Sequence, residues 1–76
     1  MPKLTGSIDN GANAFVQLRD ADGDFVGEVK ADSEGSFTFY AIPGRWRVIC
    51  LIPGGRRLEQ EIDLTSSDAD IYLRAS

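Results

Sequence analysis

Apolar and polar residues alternate along this chain in short runs, and turn residues interrupt them about every ten positions. Period-two alternation gives a strand one apolar face, and no stretch holds a helical period long enough to compete. The clearest example is Gly35-Ser-Phe-Thr-Phe-Tyr-Ala-Ile-Pro-Gly-Arg-Trp-Arg-Val48, a strand, a proline-glycine turn and a second strand. The pattern predicts an all-β chain of about seven antiparallel strands in a Greek-key sandwich. The strands are expected at Lys3–Ile8, Ala14–Arg19, Phe25–Ala31, Ser36–Ala41, Arg45–Ile52, Arg57–Leu64 and Asp70–Arg74.

The turns between them have their own chemistry. Asp22-Gly23 and Glu34-Gly35 are hairpin signals, because glycine accepts a positive φ at little cost. Pro43-Gly44 suits a type II turn, with Pro53-Gly54-Gly55 a looser connection of the same kind. Alternation then selects the inward faces. Leu4 and Ile8, Val16 and Leu18, Phe37 and Phe39, Trp46 and Val48, Ile62 and Leu64, and Ile71 and Leu73 should form the core, with Val29 and Phe25. Tyr40 should be more exposed, being out of phase with Phe37 and Phe39.

Seventy-six residues make one domain, 1–76, without repeats or linkers. A chain of this size buries only about 60% of its unfolded surface, so the core is thin. The single cysteine, Cys50, excludes an intramolecular disulfide and fits a reducing, cytoplasmic compartment. The first residues have no signal-peptide core, and the longest apolar run, Val48 to Pro53, is far short of a membrane span. Twelve acids against eight bases give a net charge of −4, which argues against nucleic acid as a partner. The absence of histidine removes the commonest general base and, with one cysteine, the usual zinc sites. The expectation is therefore a non-enzymatic protein without metal or cofactor.

Three constellations are candidates for chemistry. Asp20-Ala-Asp22-Gly-Asp24 resembles the start of a calcium loop, but Phe25 and Ala31 stand where an EF-hand needs glycine and glutamate. A solvated hairpin tip is the simpler reading, with weak calcium binding as its rival. Cys50 lies in phase with Trp46 and Val48, so it should point inward as a small hydrophobe instead of serving as a nucleophile. Charge is segregated along the chain: Gly35 to Leu58 has no acid but contains Arg45, Arg47, Arg56 and Arg57, and Glu59 to Asp70 has no base. If Ile52 pairs with Arg56, then Arg47 faces Glu61, Arg45 faces Asp63 and Trp46 faces Ile62. That register leaves Arg56 and Arg57 unpaired at a loop tip, where they could bind an oxyanion or an acidic partner. The expected surface comprises Tyr40, Arg45, Arg47, Arg56 and Arg57.

Ala14-Phe-Val-Gln-Leu-Arg-Asp, Glu28-Val, Gly35-x-Phe-x-Phe and Pro43-Gly44-x-Trp46-x-Val48 together resemble a known pattern. It is similar to the carboxypeptidase-regulatory-like, or transthyretin-like (prealbumin-like), β-sandwich. Within that group it most resembles a family of small uncharacterised actinobacterial proteins, often encoded beside rhodanese-type thiosulfate sulfurtransferases. The resemblance implies a prealbumin-like fold and no established catalytic residues. It also implies an accessory role beside a sulfurtransferase, by association alone. The expected function is a non-catalytic interaction module for a protein partner, with no nucleic acid and no membrane. Edge strands leave room for a homodimer. The alternative is a small-ligand domain for an oxyanion or a carbohydrate.

Overall fold

Alternation becomes two packed sheets. The computed structural model describes residues 1–74, so the last two positions of the expected 1–76 domain lie outside the described residues. Seven strands follow in order: β1 (Lys3–Ile8), β2 (Phe15–Arg19), β3 (Phe25–Lys30), β4 (Ser36–Tyr40), β5 (Gly44–Ile52), β6 (Arg56–Leu64) and β7 (Ala69–Leu73). Each end lies within one residue of its expected place, because the turn residues that stop the strands are themselves explicit in the chain.

A three-stranded sheet runs β4-β1-β7 and a four-stranded sheet runs β3-β2-β5-β6. The chain crosses between them after β1, β3, β4 and β6, and makes hairpins only at β2–β3 and β5–β6. Four ladders are antiparallel as expected, but β1 and β7 run parallel. A parallel pair needs a long crossover, which the entire four-stranded sheet supplies here.

The inward residues fill the space between the sheets. Leu4, Ile8, Val16, Leu18, Phe37, Phe39, Trp46, Val48, Leu64 and Leu73 are buried as the alternation requires, while Val29, Ile62 and Ile71 are half-buried at the margin. The Trp46 indole N–H donates to the Ile42 carbonyl at 2.9 Å, which lets a polar group enter the core without loss of its hydrogen bond. Phe37 and Phe39 meet edge to face, with ring centroids 6.0 Å apart. Phe37 also covers Gly6, its partner across the ladder; a Cβ there would collide with the ring.

Phe25 departs from expectation, with 54% of its surface exposed. The β2–β3 ladder slips between Leu18 and Arg19, so Leu18 pairs with Gly27 and Arg19 with Phe25. The extra residue, Val26, inverts the facing of what precedes it. Phe25 therefore turns outward, where the Arg19 guanidinium lies 5.8 Å from its ring centroid.

Two loops use one local device. Asp20 Oδ1 accepts from the amides of Asp22 and Asp24, and Asp32 Oδ1 accepts from those of Glu34 and Ser36. In each, a glycine with positive φ, Gly23 or Gly35, returns an N–H to the aspartate carbonyl at 3.0 Å. One closes a hairpin within a sheet; the other carries the chain from β3 to β4 in the opposite sheet.

Candidate functional site

The β5–β6 hairpin carries most of the candidate residues, and its register is the expected one. Ile52 pairs with Arg56, Arg47 with Glu61, Trp46 with Ile62 and Arg45 with Asp63. Side chains complete the pattern. Arg45 Nε lies 3.2 Å from Asp63 Oδ1, and Arg47 reaches Glu61 Oε1 at 2.8 Å and Glu59 Oε1 at 3.2 Å. The hydrogen bond from Arg47 to Glu61 and the charge of Glu59 hold the Arg47 guanidinium protonated more firmly than usual. Both arginines are thus already neutralised within the hairpin.

Arg57 departs from expectation, and Arg56 does not. Arg57 Nη1 lies 3.4 Å from Glu59 Oε2, so Glu59 bridges Arg57 and Arg47. Arg56 has no ion-pair partner among the described residues. Successive residues on a strand point to opposite faces, so these two neighbours cannot close together on one small anion. Tyr40 is exposed, but it stands on β4 opposite Lys3, on the outer face of the three-stranded sheet. It looks away from Arg45 and Arg47, and the expected single surface divides into two.

The outer face of the four-stranded sheet assembles a different group. Phe15 pairs with Lys30 on β3 and with Leu51 on β5, and Leu51 pairs with Arg57 on β6. The result is one transverse row, Lys30–Phe15–Leu51–Arg57, with two exposed apolar side chains between two cations. Lys30 Nζ sits 6.0 Å from the Phe15 ring centroid. The next row is Glu28–Gln17–Ile49–Glu59, where Gln17 donates to Glu28 at 3.2 Å and Ile49 is buried although it faces outward. Phe15 was readable from its phase against Val16 and Leu18. Its neighbours were not, because three separate ladders define the row.

The other two constellations differ from each other. Cys50 is wholly buried and desolvation pushes its thiol pKa up to about 11, the reverse of what a nucleophilic thiol requires. The carboxylates of Asp20, Asp22 and Asp24 come within 4.8 Å of one another, but Asp20 already accepts two amides of its own turn. Among the described residues no helix is long and apolar enough to cross a membrane.

A family model described as "Protein of unknown function (DUF1416)" matches residues 3–72. An uncharacterized protein of Mycolicibacterium smegmatis is 39% identical over 57 residues, covering 68% of this chain and 63% of that protein. The uncharacterized proteins Rv0814c and Rv3118 of Mycobacterium tuberculosis are each 37% identical over 57 residues, covering 68% of this chain and 57% of theirs. The chain thus spans about three-fifths of the length of these relatives.

Proposed function

This chain belongs to the DUF1416 family, and on that premise we propose that it is a non-catalytic interaction module, docking a cytoplasmic protein through the outer face of its four-stranded sheet. The row Lys30–Phe15–Leu51–Arg57 carries the reading. Exposed aromatic and aliphatic side chains at the centre of a patch, with charge at its rim, form the usual anatomy of a protein interface. The matching partner surface has an apolar projection flanked by carboxylates. Trp46 is buried, so it is not part of any sugar-stacking platform.

A thiosulfate sulfurtransferase is the first partner to test, on the genomic association that the resemblance carries. The prealbumin-like assignment is part of the same proposal. It is supported by the two-sheet Greek key and by the order of Phe-x-Phe strand, Pro-Gly turn and Trp-x-Val strand. The small-ligand alternative rests on Arg56, whose guanidinium has no ion pair among the described residues. Calorimetric titration of a purified sulfurtransferase into wild-type protein and into a Lys30→Glu/Arg57→Glu variant separates the cases. Binding by the wild type and its loss in the variant support the module. No heat with the enzyme, but saturable heat with thiosulfate or sulfate that Arg56→Ala removes, replaces it with the ligand reading.

A further inference from the structure

The four-stranded sheet ends at β6, and no described strand pairs with the outer edge of that strand. The other three edges are blunted. β4 and β7 have five residues each, and the β3 ladder is broken by its bulge. β6 has nine residues without proline or glycine, and its ladder with β5 runs from Arg56 to Leu64 without a shift. Such an edge presents a row of unpaired backbone donors and acceptors, which natural sheets normally guard by shortness, proline or a bulge. Just inside it the core is incompletely covered: Leu58 and Ile62 on β6 and Ala69 and Ile71 on β7 are only half-buried.

We propose that the occupant of this edge is a second copy of the chain, whose β6 pairs antiparallel with the first about a two-fold axis at Gln60. The side chains of β6 are self-complementary in that register. Arg57 faces the second copy's Asp63, Leu58 faces its Ile62, and Gln60 faces its own counterpart; symmetry repeats each pair. Glu59 faces the second copy's Glu61, and Arg47 already holds both of these carboxylates within each copy. Sliding the register by two residues is worse in either direction. One slip sets Glu61 against itself and Glu59 against Asp63; the other keeps an opposite-charge pair, Arg57 against Glu61, but splits the apolar pair by setting Leu58 against Gln60 and Ile62 against Arg56. Pairing at Gln60 joins two four-stranded sheets into one and brings the half-buried Leu58 and Ile62 together. Arg57 belongs to both this seam and the docking row, and Asp63, which lies outside the row, separates the two readings.

Sedimentation equilibrium of the wild type, Arg57→Asp, Asp63→Arg and an equimolar mixture of the two variants tests it. Both substitutions are on exposed side chains, and circular dichroism confirms the fold of each. The wild type is expected to self-associate to dimers. Each single variant, which opposes like charges twice across the axis, should dimerise roughly tenfold more weakly. The mixture should recover wild-type affinity, because each pair across the axis then again sets one aspartate against one arginine. A wild type that stays monomeric at about millimolar concentration overturns the proposal. So does a dimer that neither charge reversal weakens, or one that the mixture does not restore.

Discussion

The two sheets share a core but differ in what they show to solvent. On the three-stranded sheet the outward rows are Tyr40–Lys3, Thr38–Thr5–Asp70 and Ser36–Ser7–Tyr72, hydroxyl side chains with an exposed tyrosine at two corners. On the four-stranded sheet the outward rows expose Phe15 and Leu51 side by side amid arginines, lysine and glutamates. The thinner sheet is specialised for packing, as the Phe37 ring over Gly6 shows. The wider sheet sets adjacent apolar side chains between cations, and the narrower one keeps its exposed tyrosines apart.

The most severe challenge to that contrast is Gly6→Val, which drives a branched side chain into the Phe37 ring. It should cost about 3 kcal/mol of unfolding free energy in a denaturant titration. Gly27→Ala in β3, where a Cβ meets nothing within 4 Å, should be near neutral. The next effect belongs to the core shared by both sheets. Cys50→Ser buries a hydroxyl in place of the thiol and should cost about 1–3 kcal/mol. Because the folded thiol titrates at about 11 against an ordinary 9.0, the native state keeps its proton longer than the unfolded chain does. That contribution is complete below pH 9 and is lost as pH rises towards 11, and Cys50→Ala should abolish the alkaline slope.

Smaller changes resolve the difference between the faces more finely. Phe15→Ser should alter stability by no more than about 0.5 kcal/mol while removing partner binding. Tyr40→Ser on the other face should change neither quantity, and calorimetry of both variants makes the comparison. The smallest effect is expected at Asp32, in the loop that joins the sheets. Backbone amides of Ser36 and Glu34 hold its carboxyl pKa below the ordinary 3.8. Its contribution is therefore present above pH 3.8 and fades as pH falls through the lower folded value. Asp32→Asn retains an acceptor for the turn and should flatten the acid limb of a stability–pH profile by lowering the neutral plateau slightly towards the acid value.

How much was legible depended on range along the chain. The β5–β6 register followed from the Pro53-Gly54-Gly55 turn, since a short connection fixes which residues face each other. The pairing of Arg45 with Asp63 and Arg47 with Glu61 came with it. Phe25 was misplaced because one extra residue at Val26 reverses every facing before it, and the cue for that bulge is the single Gly27 inside the strand, which alternation alone passes over. Tyr40 and Arg45 look close in sequence, yet the chain changes sheets between them, and alternation alone does not say which sheet a strand joins.

Local patterning was enough for the strands, nearly all of their inward faces, the turns and the β5–β6 pairing. Each depends on interactions within a few residues or across one short turn. The assembled sandwich was needed for the parallel β1–β7 pair, the outward turn of Phe25, the separation of Tyr40 from the arginines, and the Lys30–Phe15–Leu51–Arg57 row. Those depend on contacts between strands far apart in the chain, and such contacts are chosen by the joint packing of two sheets around one core.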